Sequence, residues 1–352
     1  MYESYYGFTE RPFQLTPDPR FFFATKHHQR ALSYLQYGLD QGEGFIVITG
    51  PIGTGKTTIA RNLLNSIADQ NIIAAQLVTT KLSPQELLEL IAAEFSIPVT
   101  SNKSKAQLLQ SIEKFLVNLN RQGKRALLIV DEAQNLPIET VEELRMLSNF
   151  QLNNKPLIQS FLLGQEELKD IIDAPNMEQF RQRIIASAHL KPLSVEELGH
   201  YVQHRLQQAG YNKANLFPER TFALIHQKTL GVPRKVNIFI DRVLLFGFLE
   251  DLTEISTEAI EEVADEMALE LTGSLQKPSL ETSTNNKPDT LTHTNPKVKP
   301  SENLEGICEV LREVDNILET SIKQKIKMTK YVDKLLKQKS RAMAKANIKA
   351  EL

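Results

Sequence analysis

The sequence predicts an α/β fold: a parallel sheet sandwiched by helices, with a C-terminal helical layer and a separate helical tail. Three observations predict it. Apolar strand-like runs alternate with helix-like segments as far as Leu190, the pattern that right-handed strand–helix–strand crossovers produce. A glycine-rich turn, Gly50-Pro51-Ile52-Gly53-Thr54-Gly55-Lys56-Thr57-Thr58, follows one of those runs directly. Beyond Leu190 the periodicity is helical only.

Taken in order, Phe45 to Thr49 is the first strand and the glycine turn leads into a helix over Ile59 to Ala68. Ile72 to Val78, Ala126 to Val130, Leu157 to Leu163 and Ile184 to Leu190 give four more strands. Continuous apolarity, as in Ala126 to Val130, means burial on both faces at the centre of a parallel sheet. Ser83-Pro84-Gln85-Glu86 opens a helix with a cap, a proline at the first position and a capping-box glutamate. Lys105 to Asn118 and Ile138 to Phe150 are the next helices. Ser194-Val195-Glu196-Glu197 is a second capping box, and Phe217 to Thr229, Arg234 to Leu249 and Ser256 to Glu270 complete the helical part.

The strand–glycine turn–helix setting gives the turn its chemistry. Glycines let backbone N–H groups close on phosphate oxygens, and the helix N-terminus adds its positive end. In such a P-loop, Gly50 to Thr58 cradle a nucleotide, Lys56 reaches the terminal phosphates and the Thr57 hydroxyl ligates Mg²⁺. Binding alone does not hydrolyse. The Ala126 to Val130 strand ends in Asp131-Glu132-Ala133-Gln134, and a carboxylate at the carboxyl end of a central strand lies beside the P-loop. Asp131 then holds the Mg²⁺ shell and Glu132 polarises an attacking water. ATP and Mg²⁺ are the cofactors expected.

Composition narrows the class. One cysteine, Cys308, excludes an intramolecular disulfide framework and suits a reducing compartment. No run approaches the roughly 20 apolar residues that span a bilayer, and Met1 to Arg20 lacks a signal pattern, so the expected location is cytoplasmic. The formal net charge of −2 hides acid-rich residues 250 to 270 and a basic last thirty. Residues 272 to 303, rich in Thr, Asn, Ser, Lys and Pro, cannot bury enough apolar surface to order and read as a linker. Leu304, Ile307, Leu311, Val314, Leu318, Met328, Val332 and Leu335 fall on a seven-residue register, interrupted by Ser321 and Lys325. The basic amphipathic helix over 304–352 suits an anionic membrane, nucleic acid, an acidic partner, or simply a solvated face of a self-associating helix. The expected division is therefore 1–43 aromatic strap, 44–192 nucleotide-binding domain, 193–271 helical lid, 272–303 linker and 304–352 coiled-coil tail.

Several stretches carry a family resemblance. Phe8, Pro12-Phe13, Thr16-Pro17-Asp18-Pro19-Arg20-Phe21-Phe22-Phe23, Ala31-Leu32, Tyr37-Gly38, Gln41 to Gly50, Val141 to Leu152 and Gln159 to Gln165 together resemble the ExeA (general secretion pathway protein A) family of AAA+ ATPases over about residues 1 to 270. Within it, the likeness is greatest to the ATPases of exosortase/PEP-CTERM exopolysaccharide loci. The resemblance implies an ATP hydrolase that oligomerises and serves envelope secretion machinery, and the basic tail suits peripheral contact with an anionic inner-membrane surface. The resemblance also implies that Gln165 is the sensor 1 residue at the γ-phosphate, Arg183, with Arg181 as alternative, the arginine finger toward a neighbouring subunit, and Arg234 the sensor 2 residue on the lid. Where relatives often read Gly-Gln-Pro-Glu, this chain reads Gly164-Gln165-Glu166-Glu167. Many ExeA-type proteins continue into a membrane span and a peptidoglycan-binding domain, which this sequence does not show. The alternative function is a DNA-binding, transposition-type AAA+ regulator.

Two further features stay open. His27-His28 falls near the adenine side by family position or packs structurally. Tyr2, Tyr5, Tyr6, Phe8, Phe13 and Phe21 to Phe23 form either a packed strap or a base-stacking platform. His200 and His204, spaced i, i+4, lack a third ligand for a metal site.

Overall fold

The computed structural model describes residues 2–16, 18–67, 71–78, 81–98, 104–213 and 216–273. The expected linker and coiled-coil tail lie outside the described residues. Residues 1–273 form one compact unit.

The elements run α1 (Tyr2–Tyr6), α2 (Lys26–Gln41), β1 (Phe45–Thr49), α3 (Lys56–Ser66), β2 (Ile72–Val78), α4 (Pro84–Glu94), α5 (Lys105–Arg121), β3 (Arg125–Asp131) and α6 (Ile138–Leu147). They continue with β4 (Gln151–Leu152), β5 (Lys155–Pro156), β6 (Ile158–Gly164), α7 (Glu167–Asp173), α8 (Glu178–Arg181), β7 (Ile184–His189), α9 (Val195–Gln208), α10 (Glu219–Thr229), α11 (Pro233–Leu249) and α12 (Thr257–Gly273). The five long strands form one parallel sheet in the order β2-β3-β6-β1-β7, and β4 and β5 make a separate antiparallel pair.

Side-chain alternation divides the sheet between two cores. Phe45, Val47, Leu128, Val130 and Leu162 face α4 to α8, while Ile46, Ile48, Leu127, Ile129 and Phe161 face α2 and α3. Pairing of Thr49 with Gly164 and of Val130 with Leu162 aligns the carboxyl ends of β1, β3 and β6 on one rim. A third core joins α9 to α12 with the N-terminal aromatics Tyr2, Tyr6, Phe8, Phe13 and Phe21. The aromatics are packed, which answers against an exposed stacking platform.

Some boundaries differ from expectation. The helix expected over Ile138 to Phe150 ends at Leu147, because the chain turns into the β4–β5 hairpin through Asn153 and Asn154, both with positive φ, a conformation asparagine tolerates. The helix after the glycine turn begins at Lys56, capped by Gly55. Inside the expected strap lies the sixteen-residue α2, whose Ala31, Leu35 and Leu39 recur at i, i+4 and cover the sheet.

Candidate nucleotide site

The P-loop runs from the end of β1 into α3. Gly53 has φ +83°, and a Cβ there would stand 2.7 Å from Arg234 Cβ, so glycine alone allows α11 to approach. Gly55, at φ +99°, caps α3 in the left-handed region. Thr54 is fully buried and its hydroxyl donates to the Pro51 carbonyl at 2.8 Å. The Thr54 carbonyl accepts from His28 Nε2 at 2.9 Å, which leaves His28 Nδ1 to accept from the Thr25 hydroxyl at 2.7 Å. Burial lowers the His28 pKa, which favours the neutral ring that donates from Nε2 and accepts at Nδ1. His28 therefore braces the phosphate loop, as the packing reading of that position has it, and lines the adjoining cavity.

Lys56 is buried and donates to the Gly50 carbonyl at 2.7 Å and the Pro51 carbonyl at 3.1 Å. Burial lowers its pKa, opposed by the nearby carboxylates Glu132, Asp131 and Glu167. A cation held among carbonyls with so little solvation is poised for an anionic partner.

At the end of β3, Asp131 Oδ2 accepts from the Thr57 hydroxyl at 2.7 Å and Asp131 Oδ1 from the Glu132 N–H at 3.0 Å. This pair supplies hard oxygen donors at one point beside Lys56. The donor set fits Mg²⁺, which keeps waters and phosphate oxygens in its shell and needs few protein ligands. Glu132 follows with φ +55°, a turn that aims it away from the strand line. Its Oε2 accepts from Gln134 Nε2 at 2.7 Å and from Gln165 Nε2 at 3.3 Å.

Arg234 enters at the start of α11, where its N–H donates to the Gly53 carbonyl at 3.2 Å. Its exposed side chain lines a cavity of about 310 Å³ between the strap, the P-loop and the lid helices. Phe21, Phe22, His28, Tyr201, Arg205 and Asn237 also line it. Arg205 is buried, donates to the Pro12 carbonyl at 2.6 Å and the Tyr201 hydroxyl at 2.8 Å, and lies over the rings of Phe13 and Phe21.

The fold thus gathers Lys56, Thr57, Asp131, Glu132, Gln165 and Arg234. It does not bring in Arg183. That residue precedes β7, where Ile184 pairs with Phe45, and the length of β1, about 15 Å at roughly 3.3 Å per residue, separates it from the P-loop. Its guanidinium donates to Ser148 Oγ at 2.7 Å and to Asn149 Oδ1. Arg181 is engaged by the Ile172 and Ala174 carbonyls at 2.7 and 2.8 Å. His204 packs on the Phe23 ring, and its buried Nε2 has no hydrogen-bond partner. Gln134, Tyr201 and Arg205 escaped the sequence reading. Gln134 stood within the quoted Asp-Glu-Ala-Gln run, and the i, i+4 spacing of Tyr201 and Arg205 was there to be seen.

A parallel sheet with the P-loop after β1, paired acids after β3 and a helical lid over the cavity defines a class, the AAA-type P-loop ATPases. The AAA domain family model matches residues 39–172. The particular relative is general secretion pathway protein A of Aeromonas hydrophila, to which the chain is 37% identical over 248 residues, 70% of this chain and 45% of that protein. The chain is thus similar to this relative over most of its described residues and spans less than half of the relative's length. Solved structures share the fold: the ORC2 protein of Aeropyrum pernix at TM-score 0.55 and 16% identity, over 73% of this chain and 71% of that one. Cdc6p of Pyrobaculum aerophilum matches at TM-score 0.55 and 16% identity, over 71% of each chain.

Proposed function

We propose that the chain is a Mg²⁺-dependent ATPase whose turnover drives conformational change in an envelope secretion system, of the exopolysaccharide (PEP-CTERM) kind. The observation that carries the hydrolytic part is the 2.7 Å bond from Thr57 to Asp131, with Glu132 directly following and Lys56 facing both acids. P-loop amides from Gly50 to Thr58 bind the phosphates and Lys56 neutralises the terminal ones. Glu132 orients the attacking water for in-line displacement, while Gln165 senses the γ-phosphate. Mg²⁺, held by Thr57 and Asp131, supplies further neutralisation of phosphate charge when bound. Arg234 contributes a guanidinium from the lid. Arg183 completes the charge balance in a neighbouring subunit, a role compatible with its place at the far end of the sheet.

The lid meets the P-loop through the Arg234 N–H on the Gly53 carbonyl, and the Leu193 N–H bonds the Gly231 carbonyl at 2.8 Å where the chain enters it. Loss of a phosphate at the loop is thereby transmitted to α11. Motion is the useful output. The relative's name, general secretion pathway protein A, supports the envelope setting. Among the described residues no helix is long and apolar enough to cross a membrane, and peripheral attachment at the inner membrane is part of this proposal.

Purified protein tests the chemistry. Lys56→Ala loses ATP affinity, whereas Glu132→Gln keeps it and loses about 10²- to 10⁴-fold in kcat, the span of general-base effects. Wild-type turnover by Glu132→Gln would remove the hydrolytic assignment. An unchanged exopolysaccharide in a Lys56→Ala strain would remove the envelope role.

A further inference from the structure

We infer that Gln134 is a positioning residue for ATP hydrolysis, holding the Glu132 carboxylate in place and coupling it to the γ-phosphate sensor Gln165. The inference rests on the reading of Glu132 as the group that activates water.

The geometry is a bridge between two strand ends. Gln134 Nε2 donates to Glu132 Oε2 at 2.7 Å, and Gln134 Oε1 accepts from the Gln165 N–H at 2.9 Å. One amide therefore spans from the turn after β3 to the residue after β6. The backbone prepares this: Glu132 sits in the left-handed region, and the 3₁₀ turn over Ala133–Asn135 brings Gln134 back beside it. The amide is packed in, since a Cβ on Gly164 would stand 3.1 Å from Gln134 Oε1.

A glutamate at a strand end has three rotatable bonds, and only a fraction of its rotamers aims the carboxylate at a water in line with the γ-phosphate. A short charge-assisted hydrogen bond selects among them. Glu132 Oε2 receives two such donors, from Gln134 and, at 3.3 Å, from Gln165. The two amides have different duties. The Gln165 amide turns to the γ-phosphate and gives up the longer bond. Gln134 is fixed at its other end to the main chain of Gln165, so it retains Glu132 while the sensor is engaged. Arrival of the γ-phosphate is thus felt at Glu132 through one shared oxygen.

The test compares the full chain with Gln134→Ala, Gln134→Glu and Glu132→Gln. Assayed at a pH where both carboxylates are ionised, Gln134→Glu keeps the shape and the acceptor for the Gln165 N–H but offers Glu132 no donor, so it removes the positioning bond and leaves the strand-end bridge. Both Gln134 variants are expected to lose about 10- to 100-fold in kcat, the size of effect of an outer-shell partner that orients a reacting group. KM for ATP and the affinity for ADP stay within about twofold, because the bond matters to the transition state and not to ground-state binding. Affinity for ADP with aluminium fluoride, which imitates the transferring phosphoryl group, falls along with kcat. Wild-type kcat and aluminium fluoride affinity in Gln134→Glu, beside an inactive Glu132→Gln, would overturn the inference and leave the role of Glu132 standing. A parallel fall in ADP affinity in Gln134→Glu would overturn it as well, because the residue would then merely support the phosphate loop. Wild-type turnover by Glu132→Gln would instead strike the underlying reading.

Discussion

His28 ties α2 to the phosphate loop with one hydrogen bond, donated to the Thr54 carbonyl. Burial lowers its pKa, while an unfolded histidine titrates near about 6.5. The unfolded chain therefore binds the proton first. Stability is present in full above about pH 6.5 and falls as the pH drops below it. Urea midpoints at about pH 7.5 and about pH 5.5 should differ more for the wild type than for His28→Gln, which keeps a donor but cannot charge. Equal acid-side losses in the two proteins would exclude His28 as the source; His204, also lowered by burial, contributes to both alike. Lys56, Thr57 and Asp131 were readable from sequence because phosphate chemistry demands those types at short, fixed spacings. Arg205 was not, since its partner Pro12 lies 193 positions away.

Elements were legible where local chemistry and burial agree. Ser83–Glu86 and Ser194–Glu197 are both full capping boxes, as their spacing implied. Ser194→Ala should cost about 1 kcal/mol, seen as a lower denaturation midpoint with unchanged nucleotide affinity. A cost near zero would mean that tertiary packing alone holds the start of α9. In the centre of the sheet Phe161 is 1% exposed, and Phe161→Ala should cost about 3–5 kcal/mol in the same assay; under about 1 kcal/mol would contradict such dense packing. The β4–β5 hairpin and α2 were missed for opposite reasons. The hairpin strands are two residues each, too short for any alternation to register. The stripe of α2 was there at residues 31, 35 and 39, overshadowed by the aromatic run before it.

At the scale of the molecule, three cores share one site. The two faces of the sheet bring the rim of β1, β3 and β6 together, and the third core sets α9 and α11 over it, with the N-terminal aromatics as part of its packing. Arg183 stands at the opposite end of the sheet from its own P-loop, so any contact with nucleotide belongs to another copy of the chain. Arg183→Ala should bind ATP normally and turn it over slowly. Mixing it with Glu132→Gln should restore part of the activity, because each variant supplies what the other lacks. No recovery at any mixing ratio would exclude Arg183 as a shared residue.

The sequence by itself determined the alternating fold, the phosphate loop and the pair of acids, because a backbone cradle, a cation and carboxylates must occur in set order along one strand–turn–helix path and at one strand end. Only the tertiary structure decided which distant groups meet there. The shared grip of Gln134 and Gln165 on Glu132, the brace of His28 on Thr54 and the Arg205 contact with the strap depend on strand order and on helices closing over a sheet, relations that no spacing along the chain encodes.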